Sequence, residues 1–262
     1  MSRQKVALTL ASGGPRGFAY IGAIEELLAR GYEISSVAGA SAGALVGGIY
    51  AAGGLDAFKE WLFALDPVKI VALMDFTPSK NYLVKGDRVI AAIEERVPEI
   101  NIEQLPIPYV AVATDFHSGE EILFREGPLF DAIRASISIP SMFRPVKWKG
   151  RILIDGGVTN TFPLNRVART PGDILVGFNV NKIEPDTVRK SVDNNYFTIL
   201  QRSFGIMNHT LARVNTENYP PDILVTLPYD SYHGVYGYSR AAEIAALGRR
   251  LMAEALDRYE SR

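Results

Sequence analysis

The first feature of this 262-residue sequence that could do chemistry is a serine between glycines, Gly39-Ala40-Ser41-Ala42-Gly43. A G-x-S-x-G run placed between an apolar segment and a helix-like run of small residues suits a sharp, strained turn that lifts a hydroxyl clear of a sheet. Side chains at Gly39 and Gly43 would collide with the flanking strand and helix, which is why small residues are needed there. A hydroxyl at a helix N-terminus also attacks where the backbone dipole favours developing negative charge. Taken alone the run fits a plain tight turn equally well. Its place directly after an apolar strand favours a nucleophile.

Two further clusters could serve that serine. Ser12-Gly13-Gly14-Pro15-Arg16-Gly17 is a glycine-rich turn whose backbone N–H groups suit a phosphate or a tetrahedral oxyanion. A P-loop would continue with lysine and then serine or threonine, whereas Phe18-Ala19 follow here. A dinucleotide fingerprint would have glycine in place of Ser12 and an acid about 20 residues on. Glu33 keeps that reading open for the loop by itself. Pairing with Ser41 makes Gly13, Gly14, Arg16 and Gly17 the better candidates for an oxyanion loop, and Pro15 has no N–H to offer. The third cluster is Asp155-Gly156-Gly157, an acid leaving the apolar run Ile152-Leu153-Ile154 straight into two glycines. An Asp-Gly pair is more often a turn than a site. Open α/β sheets build their sites at strand C-termini, however, so Asp155 is expected on the same edge as Ser41.

The elements that must position these groups alternate. Apolar runs at Val6–Leu10, Val37–Ala40, Tyr109–Thr114, Ile152–Ile154, Ile174–Val180 and Ile223–Leu227 predict strands. Helical spacing is predicted over Phe18–Arg30, Ala42–Ala52, Asp87–Arg96, Leu129–Ile137 and Phe197–Asn215, with a last helix from Ser239 to Tyr259. This order predicts a three-layer α/β/α fold with a mostly parallel central sheet, as one domain over residues 1–262. Asp66–Lys85 and Lys182–Asn195 have the weakest patterns and read as excursions of that domain.

Composition narrows the classes of function. With 47% hydrophobic and 22% charged residues and a formal net charge of −1, nothing points to nucleic acid or to long-range attraction by anionic membranes. The absence of cysteine removes disulfides, thiolate zinc sites and cysteine nucleophiles, and suits a reducing, cytoplasmic setting. Arg3 and Lys5 before Val6–Leu10 give a faint leader pattern, but the apolar run is too short and reads as a buried first strand. Ala42–Leu55 holds five glycines in 14 uncharged residues, short of the roughly 20 apolar residues a membrane span needs. Asp115 and His117 lack a third ligand, so neither a metal nor another cofactor is expected.

Together the three clusters resemble the patatin-like phospholipase family, which carries a G-G-x-R-G loop, a G-x-S-x-G turn and an Asp-Gly-Gly motif in this order. The likeness extends through Asp131–Pro140, Phe143-Arg144-Pro145, Asn160 and Pro163, covering about residues 5–165 well and the C-terminal third weakly. Two positions depart from the family pattern: Ser12 replaces the usual first glycine, and Thr161 stands where an asparagine is common. The resemblance implies a lipid acyl hydrolase acting through an acyl-enzyme. Ser41 would be its nucleophile, Asp155 its only side-chain partner, Gly13, Gly14, Arg16 and Gly17 the oxyanion loop, and Gly39, Gly43, Gly156 and Gly157 the support. It implies a lipid or acyl-ester substrate and at most peripheral contact with a membrane. Headgroup, chain length and oligomeric state are left open.

Two rival readings remain. An α/β-hydrolase triad would need His209 or His233 after Asp155, but that fold places more strands before its serine than the two found here. A non-catalytic lipid- or nucleotide-binding relative would keep the scaffold without the chemistry. The aromatic group Tyr196, Phe197, Phe204, Tyr219, Tyr229, Tyr232, Tyr236 and Tyr238 reads as an acyl channel or, more simply, as packing. Arg144, Lys147, Lys149 and Arg151 around Trp148 read as an anionic-headgroup site or as a solvated hairpin tip.

Overall fold

The computed structural model describes residues 3–77, 82–184, 196–229, 232 and 237–262. Strands and helices alternate as β1 (Lys5–Leu10), α1 (Ala19–Ala29), β2 (Glu33–Ala40), α2 (Ala42–Ala51), α3 (Leu55–Phe63), α4 (Pro67–Leu73) and α5 (Asp87–Glu94). Then come β3 (Tyr109–Asp115), β4 (Glu121–Phe124), α6 (Leu129–Ser136), β5 (Val146–Trp148), β6 (Arg151–Asp155) and β7 (Ile174–Lys182). The last elements are α7 (Tyr196–Asn218), β8 (Ile223–Pro228) and α8 (Ala241–Glu260).

The sheet runs β5-β6-β3-β2-β1-β7-β8, with β4 also paired to β3. The run β3-β2-β1-β7-β8 is parallel throughout, while β4, β5 and β6 join antiparallel at one end. A parallel strand is covered on both faces and therefore reads as continuously apolar. Val6, Leu8 and Leu10 of β1 enter the main core with side chains of α1, α2, α6 and α8. Ala7 and Ala11 turn the other way, onto a thinner layer made by Phe162, Leu164 and Ala212 of α7. Helices thus flank both faces of a mostly parallel sheet, as expected.

Several elements differ from the sequence reading. β2 starts at Glu33 rather than Val37, because the polar residues that hid it are satisfied inside. The Ser35 hydroxyl donates to Val6 O at 3.1 Å, and the Ser36 hydroxyl donates to Ala168 O. Helices α3 and α4 and the short strand β4 had no prior signal, while β5 forms one arm of the hairpin anticipated around Trp148; α4 falls within the stretch read as an irregular excursion. Of the second such stretch, residues 185–195 lie outside the described residues.

The register of β3 decides where the site forms. Ala111 and Val112 pair with β2 and β4 at once, so those two strands lie on opposite edges of β3. Ala113 and Thr114 pair with both β4 and β6, so β6 continues the edge that β2 occupies. The two strands run toward each other. β2 ends at Ala40 opposite Val112, and β6 ends at Asp155 opposite Ala113.

Candidate active site

Ser41 begins where β2 stops, as the N-cap of α2, with φ 53° and ψ −121°. Left-handed φ is costly for a non-glycine residue and persists only where the surroundings enforce it. Close packing enforces it here. A Cβ on Gly39 would lie 2.3 Å from the Gly43 carbonyl carbon, and one on Gly43 would lie 2.1 Å from Leu10 O. The Ser41 N–H donates to Ser136 Oγ at 2.8 Å, and that hydroxyl donates to Val112 O at 2.6 Å. The strained turn is therefore tied to the end of α6 and to the central strand.

Asp155 meets Ser41 across the junction of β6 and β2. The expectation of a shared edge holds for a different reason from the one inferred: the acid arrives on an antiparallel strand and meets β2 head-on. Its backbone N–H donates to Ser138 O at 2.9 Å, so the Ser136–Ser138 segment anchors both residues. Asp155 Oδ1 accepts from the Gly157 N–H at 2.7 Å, while Oδ2 has no completed hydrogen bond among the described residues. Burial raises the carboxyl pKa to about 6; the neighbouring Ser41 hydroxyl and the Gly157 N–H offset part of that rise. The hydroxyl is thus close enough to act on the acid without being aligned onto Oδ2. Gly156 is required because a Cβ there would lie 2.1 Å from Val112 O.

The glycine-rich loop forms a short 3-10 turn, Gly14–Phe18, against the same site. The first N–H groups of such a turn have no partner within it and point outward. Gly14 has φ +54°, a Cβ on Gly13 would lie 2.1 Å from Val180 Cγ2, and one on Gly17 would lie 2.4 Å from Ala42 Cβ. The Arg16 side chain braces the loop: its Nε donates to Val180 O at 2.9 Å, and its guanidinium carbon lies 4.4 Å from the Tyr229 ring centre. The two departures from the family pattern meet here, since the Ser12 and Thr161 hydroxyls hydrogen-bond each other at 2.5 Å.

Two cavities converge on Ser41. A cleft of about 190 Å³ reaches Ser41 and Asp155 between Gly13, Gly14, Arg16 and the α7 residues Gln201, Phe204 and Asn208. A second cavity of about 100 Å³ runs from Ser41 between Leu45, Phe58, Trp61, Ile70, Met74 and Val89, and is almost wholly hydrocarbon. Tyr238 borders both. Of the aromatic group singled out in the sequence, Phe204, Tyr229 and Tyr238 line the cleft. Tyr219 is exposed, and Tyr232 donates to Glu243 at 2.7 Å. The side chains of Tyr196, Phe197 and Tyr236 lie outside the described residues. The apolar cavity is walled mainly by α2, α3, α4 and α5, and among the described residues Tyr238 is the member of that aromatic group that borders it.

The remaining candidates fall elsewhere. Among the described residues no histidine lines either cavity. His209 Nδ1 is engaged by the Ile183 N–H at 3.2 Å, and His233 lies outside the described residues. The β5–β6 hairpin carries the cationic cluster, but Arg144 pairs with Asp87 at 2.7 Å and Arg151 with Asp115 at 3.0 Å. Asp115 also accepts from the His117 N–H at 2.9 Å, which is turn chemistry. Ser136 and Ser138, which carry no motif of their own, are the positioning residues that sequence reasoning missed. Their only signal was membership of the Asp131–Pro140 stretch.

The family model described as patatin-like phospholipase matches residues 8–168, and the chain belongs to that family. It is 30% identical to an uncharacterised NTE family protein of Mycobacterium tuberculosis, over 99% of this chain and 93% of that one. It is 25% identical to Lysophospholipase NTE1 of Candida glabrata, over 77% of this chain and 12% of that protein. Among solved structures, VipD from Legionella pneumophila matches with a TM-score of 0.47 and 13% identity, over 97% of this chain and 68% of that one.

Proposed function

We propose that the protein hydrolyses acyl esters of lipids through a Ser41–Asp155 dyad and a covalent acyl-enzyme. The observation that carries this reading is the meeting of the strained Ser41 with a buried acid whose pKa is raised to about 6. A carboxylate of that basicity takes a proton from an alcohol more readily than one of ordinary acidity. Ser41 Oγ attacks the ester carbonyl and its proton passes to Asp155. The tetrahedral intermediate then collapses, and the departing alcohol carries that proton away. Water attacks the acyl-enzyme with Asp155 again as base, releasing the fatty acid and restoring the hydroxyl. The backbone N–H groups of Gly13, Gly14 and Arg16 are the proposed oxyanion donors, each worth about 3 kcal/mol in such sites. The Ser41 N–H is taken by Ser136 and is left out of that set.

The hydrocarbon cavity suits the acyl chain and the cleft beside Arg16 suits the alcohol portion. A fluorophosphonate probe tests the reading. Wild type is expected to be labelled, Ser41→Ala not at all, and Asp155→Asn to lose about a thousandfold or more in ester turnover. His209→Ala and His233→Ala are expected to keep full activity. Labelling that survives in Ser41→Ala would end the proposal.

A further inference from the structure

The described residues between α3 and α5, 64–77 and 82–86, carry apolar side chains both inward and outward. On the inner side Ile70 and Met74 are buried and wall the hydrocarbon cavity that ends at Ser41. On the outer side Val68 is 77% exposed, Phe76 58%, Val71 50% and Leu83 46%. Exposed large apolar residues scattered singly need no explanation, but four on one short segment form a surface that water disfavours. Two of the cations beside it are committed: Lys69 pairs with Asp66 at 3.3 Å and Arg144 with Asp87 at 2.7 Å. On the far side of Ser41, α7 presents Ile206 and Met207 about half exposed on the helix that also supplies Phe204 to the cleft. Both cavities are therefore bordered by elements that carry apolar side chains outward.

We infer that this face, built on Val68, Val71, Phe76 and Leu83, docks on a lipid surface and passes the acyl chain inward across α4 to the cavity. The inference rests on the lipid-hydrolase reading above and adds where the lipid enters. The occupant is argued from continuity. Helix α4, which carries Val68 and Val71, is itself a wall of the cavity through Ile70 and Leu73, so a chain crossing it stays in hydrocarbon from a bilayer to Ser41. A protein partner or second copy seated on the same residues would cover that route. With four large apolar side chains exposed and Lys69 and Arg144 paired, the face holds lipid through apolar insertion rather than charge.

Vesicle flotation tests this with the full chain, using zwitterionic phosphatidylcholine vesicles and a Ser41→Ala background so that binding does not depend on turnover. Ser41→Ala is expected to float with the vesicles with little dependence on salt. The added changes Val68→Ser, Val71→Ser and Phe76→Ser should weaken flotation by about tenfold or more. In the active background the same three changes should leave hydrolysis of a dissolved short-chain ester unchanged while slowing hydrolysis of vesicle-embedded ester. Loss of soluble-ester hydrolysis in unmodified protein would count against the dyad, whereas intact soluble hydrolysis with unaltered flotation of the triple variant would overturn the docking face alone. Two other results would also overturn it. One is binding that requires anionic lipid, and the other is a wild-type dimer in solution that the triple change dissolves. Phe76→Trp gives a second readout: its emission should shift to the blue on adding vesicles, and an unshifted emission refutes insertion.

Discussion

Asp155 carries the conflict between stability and chemistry in this site. Its pKa of about 6 lies above the ordinary 3.8 because ionisation is penalised by burial. The sign follows directly. Between about pH 4 and pH 6 the unfolded chain has released this proton while the folded chain still holds it, so stability falls as pH rises through that window. Above pH 6 the whole cost is in place, on the order of 3 kcal/mol for a shift of this size. Asp155→Asn removes it. The variant should therefore melt higher than wild type near pH 8, show little difference near pH 4, and lose about a thousandfold or more in ester turnover. The same group predicts that kcat/KM of the wild type rises with pH through an apparent pKa near 6 and then levels. A rate profile that is flat across pH 5 to 7, or a melting temperature lowered by Asp155→Asn at high pH, would count against this assignment.

Elements hold the site through backbone contact as much as through side chains. Helices α1 and α8 touch so closely that a Cβ on Gly22 would lie 1.9 Å from Ala245 O, and one on Gly248 would lie 1.9 Å from Ala19 O. Because α1 follows directly from the 3-10 turn of the glycine-rich loop, displacement of α8 reaches the site. Gly248→Val has no rotamer that avoids the α1 backbone and should cost about 3 kcal/mol or more, read as a fall in melting temperature. The alternation of β1, α1, β2 and α2 was legible in the sequence because β1 and the end of β2 are continuously apolar, α1 buries one face with Glu25, Glu26 and Arg30 on the other, and α2 is a run of small residues between turn glycines. Helix α4 was not, since Ile70 faces inward while Val68 and Val71 face outward, and apolar residues on both sides erase the helical period. Nor could the sequence show that β6 runs antiparallel to β3, because an apolar run of a few residues looks the same in either direction. Ser41 and Asp155 were legible as types at the ends of strands; the head-on meeting that unites them belongs to register.

Across the whole molecule, two cavities share one serine and differ in polarity. Filling the hydrocarbon side should then alter chain-length preference without touching the chemistry. Val89→Phe, projecting into a cavity of about 100 Å³, should depress kcat/KM for long-chain esters while sparing short ones, and a uniform loss across chain lengths would argue against acyl binding there. No helix among the described residues is long and apolar enough to cross a membrane. The hydroxyl pair of Ser12 and Thr161 ties the turn after β1 to the segment after Asp155. Each residue departs from the usual pattern at its own position, yet each supplies the partner the other needs. Substituting glycine at position 12 would leave a buried threonine oxygen to fend for itself, and asparagine at 161 would crowd a serine that has no reason to yield. The two turns are thus a single heritable unit: a loop exchanged between relatives would have to travel with its distant companion, although 149 positions of chain separate them.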